Sequence, residues 1–210
     1  MDHEMTEIIY GRIKHIIEAE HKHMNLKPYG FGVEGQWFPS GINSCFRYSR
    51  YQAPSVGFDY HRDSCYVETA DKRSVLTLLI YLNDDYDGGT TDFVQTKSPR
   101  KIGQIVSEEM ANGFDIIYSY KPNTGSALIF NHDIIHCGAP IMSGQKYVVR
   151  TDIIFERDPC KAPSFESWSN NPYFLQAVEY YREANHQEML GHLKKSTELY
   201  ERGLALRQFH

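Results

Sequence analysis

The chain lacks the features of a disulfide scaffold, a membrane protein or a nucleic-acid binder. Four of its 210 residues are cysteine (Cys45, Cys65, Cys137, Cys160), with no Cys-x-x-Cys pair. That is too few for a disulfide framework and fits a reducing compartment. No apolar run approaches the length needed to cross a bilayer, and the N-terminus, with His3, Glu4 and Arg12, lacks a signal peptide's pattern. Twenty-two Lys and Arg against 27 Asp and Glu leave a formal charge of −5 without a concentrated basic stripe, so nucleic acid is not the favoured partner and no membrane association is expected. These absences lead us to expect a cytoplasmic protein, with the nucleus not excluded. They also argue against collagen in the secretory pathway as substrate.

What the chain does have is length for one domain with a sizeable core and a short appendage. Ile9, Ile13, Ile16 and Ile17 recur at helical spacing, predicting an amphipathic helix from about Thr6 to His23 that buttresses a sheet. A Gly- and Pro-marked stretch containing Trp37 reads as a loop-rich approach. Short β-rich runs follow: Phe46 to Tyr51, Val56 to Tyr60, Val75 to Leu82, Asp115 to Tyr120, Ala127 to Phe130, Ile134 to Ile135 and Tyr147 to Phe155. Many short strands separated by turn residues predict an antiparallel sandwich or barrel. The polar stretch between Phe93 and Asp115 is longer than a strand connection needs and reads as a substrate-covering loop or a surface excursion. Asn171-Pro172 marks a helix start, with Asn as cap. A second helix with Leu190, Leu193, Thr197, Tyr200 and Leu204 on one stripe completes a C-terminal hairpin, expected to pack on the β domain or on a second subunit as a homodimer contact.

The chemistry-bearing residues are His61-Arg62-Asp63 at the end of one apolar run and His136 on another. On a strand, residues i and i+2 point to the same side, so His61 and Asp63 can grip one ion while Arg62 points away. A His from a distant segment that folds back would complete the two-imidazole, one-carboxylate facial triad of non-haem Fe(II) oxygenases. A His-x-Asp triplet alone is weak evidence, so the flanking residues decide.

From about Asn43 to Phe155 those flanks resemble the prolyl 4-hydroxylase-like branch of the 2-oxoglutarate- and Fe(II)-dependent dioxygenases. Four blocks carry the likeness in order: Asn43 to Tyr51, Phe58 to Asp63, Ser74 to Asp84 with Gly88-Gly89-Thr90-Thr91-Asp92-Phe93, and Lys121 to Ile153. The resemblance implies a mainly β double-stranded β-helix, or jelly roll, with a buttressing N-terminal helix and a C-terminal helical hairpin. Its catalytic domain is expected over 1–160, with the jelly-roll core at about 43–155 and the hairpin extension at 161–210. It implies His61, Asp63 and His136 as catalytic metal ligands. It further implies Lys146, ten residues after His136, as the partner of the far carboxylate of 2-oxoglutarate, with Tyr51 beside it. Arg150 is the rival for that carboxylate: it shares a strand face with Lys146, yet the two lie roughly 13 Å apart, too far to serve the same end of one small diacid.

The cofactors implied are Fe(II), 2-oxoglutarate and O2, with ascorbate as a reductant. The reaction implied is hydroxylation of a carbon, with a peptidyl and foremost prolyl side chain or a small molecule as substrate, and release of succinate and CO2. Asp63 itself points to hydroxylation, since halogenating relatives replace that carboxylate with a small residue. Two other classes compete: a catalytically silent jelly-roll binding module, and a cupin-like metalloenzyme that uses no 2-oxoglutarate. His132, four residues before His136, is the decoy for the distal ligand, sitting in a turn-like Asn131-His132-Asp133 context. Cys137 adjoins His136 but alternates with it along the strand. His21, His23, His186 and His192 read as solvated helix residues.

Overall fold

The structure, a computed structural model, describes residues 3–28, 32–97, 113–158 and 170–206. The loop expected between Phe93 and Asp115 falls largely outside the described residues, as does Cys160. The chain divides into two units, Met1–Phe46 with Ser64–Thr77 and Thr151–His210, and Arg47–Asp63 with Leu78–Arg150.

In the first unit, helix α1 (His3–Met24) precedes strand β1 (Trp37–Ile42), which pairs antiparallel with the last part of the 13-residue strand β12 (Gln145–Arg157). Strand β4 (Val67–Thr69) pairs antiparallel with the start of β5 (Lys72–Tyr81). The stretch around Trp37, read from its glycines and prolines as a loop, is therefore a strand. Gly41 and Pro39 are accommodated because the register shifts between them, a bulge of the kind that tolerates both residues. Trp37 is 1% exposed and lies between the guanidinium carbons of Arg73, at 5.4 Å, and Arg157, at 5.2 Å. Burial pulls the Arg73 pKa down to about 10, yet the residue keeps its donors satisfied by the carbonyls of Ala70 and Gly32. His21 is not solvated: its ring packs edge-on against Phe38 and Phe155.

The hairpin consists of α2 (Pro172–Met189) and α3 (Leu193–Ala205). The Asn171 side chain accepts from the backbone N–H groups of Tyr173 and Phe174, at 3.0 and 3.1 Å, the N-cap that the sequence signals. Leu190, expected on the stripe of the second helix, is instead the C-cap of α2 and is followed by Gly191 in a left-handed conformation. Phe174, Ala177, Val178, Tyr181, Ala184 and Tyr200 form a core with Cys65, Val67 and Ala70. Ser64, the residue after Asp63 in the chain, is tied into the same core: its backbone N–H donates to Glu188 and its hydroxyl meets that of Ser196.

Gly203 is where α3 meets the Tyr181 ring, since a Cβ built there would lie 2.5 Å from Cε1 of that ring. Gly203→Ala is expected to destabilise the protein by about 1–3 kcal/mol through overpacking, outweighing the gain in helix propensity of roughly 1 kcal/mol. A thermal melt reads this as a melting temperature lower by roughly 2–4 °C per kcal/mol; an unchanged or raised midpoint would show that the ring yields freely.

In the second unit, β2 (Arg47–Gln52) pairs antiparallel with the first part of β12, with Lys146 opposite Tyr51 and Arg150 opposite Arg47. A four-stranded antiparallel sheet has the order β3 (Phe58–His61), β10 (His136–Gly138), β7 (Thr91–Thr96), β8 (Phe114–Tyr120). Strand β9 (Ala127–Asn131) pairs with β5, and the short β11 (Ile141–Ser143) with β6 (Asp87–Gly88). The apolar Ile134-Ile135 pair is not itself strand. The Asn131 side chain accepts from the Asp133 N–H and its carbonyl from the Ile134 N–H, closing a turn that delays β10 until His136.

Candidate active site with a His-Asp-His triad

His61 ends β3, His136 begins β10, and the two are directly opposed in the antiparallel register. Opposed residues present their side chains on one face, and the two imidazole centroids lie 4.3 Å apart. Each ring is oriented by its own strand: Nδ1 of His61 donates to the Asp59 carbonyl at 2.7 Å and Nδ1 of His136 to the Ile134 carbonyl at 2.9 Å. With the proton on Nδ1, each Nε2 carries a free lone pair, the tautomer a metal requires.

Asp63 is placed by two backbone-directed contacts. Its N–H donates to the His132 carbonyl at 3.1 Å, and Arg62, pointing away from the imidazoles, donates from Nε to the Asp133 carbonyl at 3.1 Å while pairing with that residue's carboxylate. Nε2 of His61 then lies 3.4 Å from Oδ1 of Asp63, and Nε2 of His136 lies 3.7 Å from Oδ2. One ligand atom from each residue falls within 4.8 Å of the others, and among the described residues this is the group of three able to hold a metal ion. His132 is buried but stands outside the group, and its backbone carbonyl is what serves Asp63.

The electrostatics favour metal binding. Burial pulls the His136 pKa down to about 3, helped by His61, so the imidazole is neutral near pH 7. Burial works against ionisation of Asp63, but the Arg150 guanidinium outweighs it and holds the carboxyl well below the usual range. Phe58 packs 4.8 Å from His61 and Phe130 4.6 Å from His136, walling the donors in apolar surface. Two neutral nitrogens and one carboxylate oxygen suit Fe(II), and no thiolate competes. Cys137 sits opposite Asp92 in the β10–β7 register and beside Tyr60, residues that alternate with Phe93 and His61. By this alternation it faces away from the triad, and burial raises its thiol to about 11, which keeps it protonated and unreactive.

A second cluster is built around Lys146, which is 5% exposed. Its Nζ donates to the Gly89 carbonyl at 2.6 Å and stands 5.2 Å from the centre of the Tyr81 ring. The Tyr81 hydroxyl meets that of Thr91 at 2.8 Å, and Tyr51 lies directly across from Lys146. The Gly88-Gly89 pair has positive φ at both residues, and a Cβ on Gly88 would strike the Pro140 carbonyl oxygen at 2.3 Å; only glycine can therefore make the turn that offers a carbonyl to Lys146. The Asn83 amide braces the strand on either side of Lys146, donating to the Gln145 carbonyl and accepting from the Tyr147 N–H. Burial lowers the Lys146 pKa to about 8, with Asp92 offsetting part of the shift. Burial also raises the phenols of Tyr51 and Tyr81. Tyr81 and Thr91 were not singled out from sequence; their signal was their place within the Tyr81-Leu82-Asn83 and Gly88-Gly89-Thr90-Thr91 blocks.

Arg150, the rival for the diacid, is at the other end of the same strand face. Its Nη2 lies 3.0 Å from Oδ1 of Asp63. One cation thus sits with the Gly88-Gly89 turn and the other with the triad.

The description of the 2OG-Fe(II) oxygenase superfamily matches residues 46–151, half of the chain and the stretch that contains every site residue named above. The chain belongs to this superfamily. Its members' name carries the cofactors, Fe(II) and 2-oxoglutarate with O2, and the donor set of this site fits that iron. A protein of Acanthamoeba polyphaga mimivirus named "Putative prolyl 4-hydroxylase" is 27% identical over 114 residues, 45% of this chain and 38% of the viral protein. The chain therefore spans well under half of that relative. The viral collagen prolyl hydroxylase of Paramecium Bursaria Chlorella virus-1 in its 2OG complex aligns at 15% identity and TM-score 0.41 over 70% of each chain. A Pseudomonas putida prolyl-4-hydroxylase aligns at 14% identity and TM-score 0.36 over 58% of this chain and 56% of its own. The described residues contain no helix long and apolar enough to cross a membrane.

Proposed function

We propose that this oxygenase hydroxylates a carbon centre of a peptidyl side chain, prolyl foremost, converting 2-oxoglutarate and O2 to succinate and CO2. The observation that carries the reading is the pairing of a preset His-Asp-His triad with a buried lysine four residues along the same strand face from the arginine at the triad. Bound Fe(II) with 2-oxoglutarate supplies the oxidising chemistry. The residues of the chain do the rest. His61, Asp63 and His136 hold the ion from one side. Lys146 gives a charge-assisted hydrogen bond to the far carboxylate, with the Tyr51 and Tyr81 hydroxyls as neighbouring donors. Phe58, Phe93 and Phe130 exclude water around the imidazoles. Prolyl is the leading substrate class because the mimivirus relative's name points there; a small molecule is the other class compatible with the site.

The same reading takes the strands as a double-stranded β-helix within a catalytic domain over 1–160 and the 161–210 hairpin as an extension and homodimer contact. It places the protein in the cytoplasm, with ascorbate as a reductant and no nucleic-acid partner. A silent binding module would not need the triad, Lys146 and Tyr51 together, and a cupin-like enzyme would not need Lys146. Succinate release measured with and without 2-oxoglutarate separates the oxygenase from both. A screen of cell-extract peptides for a mass gain of one oxygen, run with wild-type and His136→Ala protein, then identifies the substrate. Gain on prolyl peptides supports the reading; gain confined to small molecules moves the substrate class.

A further inference from the structure

A carboxylate can bind a metal through one oxygen or through both. On a facial triad the difference matters, because a 2-oxoglutarate oxygenase needs every remaining position for the cosubstrate's two oxygens and for dioxygen, and a two-oxygen Asp63 would take one of them. In this protein the two oxygens of Asp63 have different neighbours. Oδ1 lies 3.0 Å from Nη2 of Arg150 as well as 3.4 Å from Nε2 of His61, whereas Oδ2 faces Nε2 of His136, at 3.7 Å. The carboxylate is 1% exposed, so the guanidinium–carboxylate ion pair is made out of water, where it is least screened.

Packing does not account for an arginine at this position. Arg150 stands directly opposite Arg47 in the β2–β12 register, and like charges placed across a strand pair are disfavoured. Nor does the cosubstrate's far carboxylate account for it, since Lys146 holds the other end of the strand face. What Arg150 does touch is the one side chain of the triad that can change its mode of coordination.

We propose that Arg150 is a positioning residue that occupies Oδ1 of Asp63, limiting the carboxylate to a single donor oxygen, Oδ2, and so keeping a coordination position open for the reaction. The proposal rests on the Fe(II) and 2-oxoglutarate reading above. Partners that fix a ligating carboxylate typically matter by about 10- to 100-fold in metal affinity or activity. Here the specific expectation is a change in the number of open positions.

The test uses the full-length protein loaded with Mn(II), a redox-stable stand-in for the iron, and measures water-proton relaxation, which counts the exchangeable waters on the bound ion. Wild type is expected to keep the full complement that a facial triad leaves open. Arg150→Met is expected to lose one water, lowering the relaxation enhancement by about a third, and Arg150→Lys, which can still hold Oδ1, to restore it. Should the Met variant fail to fold, Arg150→Gln, which lacks the charge, is expected to show the same loss. A folded Arg150→Met or Arg150→Gln with the wild-type enhancement overturns the proposal. So does a folded variant that takes up no Mn(II), because the proposal leaves it with an additional donor oxygen. Wild-type protein that binds no Mn(II) sinks the iron reading itself, an outcome distinct from wild type and variant behaving alike.

Discussion

His136→Ala is expected to abolish metal binding and 2-oxoglutarate turnover together, while His132→Ala leaves both in place. Two donors seldom hold Fe(II) against water. Loss of an imidazole should exceed the roughly 10- to 100-fold effects typical of groups that merely orient a ligand. His61→Ala should match His136→Ala, since the two rings are opposed across one strand pair and oriented in the same way. His132 contributes to the site through its backbone carbonyl, which receives the Asp63 N–H and which alanine preserves. Its buried side chain predicts only a lower melting temperature for His132→Ala. Calorimetric titration with Mn(II) and a succinate assay on the three variants check this. A benign His136→Ala beside a folded, metal-free His132→Ala would reverse the ligand assignment.

Lys146→Ala is expected to raise the apparent KM for 2-oxoglutarate by about 30- to 150-fold, the equivalent of roughly 2–3 kcal/mol for a desolvated charge-assisted pair. Arg150→Ala is expected to act through the metal site instead of the far carboxylate, because its guanidinium is at Asp63 and not at the Gly89 turn. A pH dependence separates the charge of Lys146 from its bulk. Burial brings its pKa from 10.5 down to about 8, so the cation that meets the diacid is present below pH 8 and fades above it. The affinity for 2-oxoglutarate should therefore fall as pH rises past 8, and binding in that range should take up a proton. The folding linkage has the opposite sign. Between pH 8 and 10.5 the unfolded chain binds the proton that the folded chain has lost, so this residue makes the fold more stable as pH rises through that window. Lys146→Met should remove both dependences. A flat 2-oxoglutarate KM from pH 7 to 9.5 in wild type would argue that another group holds the far carboxylate.

The grouping of His61, Asp63 and His136 was legible in the sequence because it follows from spacing and context. The His61-x-Asp63 interval keeps the two side chains together, but not on one strand as expected: β3 ends at His61, and Asp63 beyond it is held by its N–H to the His132 carbonyl. The residues around His136 point to the partner. The strand count was less legible. The stretch around Trp37 hid behind Pro39 and Gly41, whose turn propensity is absorbed by a bulge against β12. Ile134-Ile135 carried the apolar signal of a strand, but the Asn131 side chain claims the backbone for a turn and moves the strand onto His136. Tyr81 and Thr91 looked like ordinary sheet residues, because nothing local records that a fold will set their hydroxyls 2.8 Å apart beneath Lys146. The choice between Lys146 and Arg150 could not be made from alternation, which puts both on one face. It depended on what each cation meets, and Asp63 is more than eighty residues away in the chain.

The opposition of His61 and His136 across the β3–β10 pair has a consequence for assembly of the sheet. A slip of one residue would bring Cys137 opposite His61 and turn His136 to the other face, since a strand's side chains alternate. Only the native alignment then presents both imidazoles to one ion. Metal at about 100 times its dissociation constant favours that alignment by roughly 2.7 kcal/mol over any that cannot chelate. An ion bound by this pair would thus favour the correctly aligned strands over the slipped ones before any substrate is present.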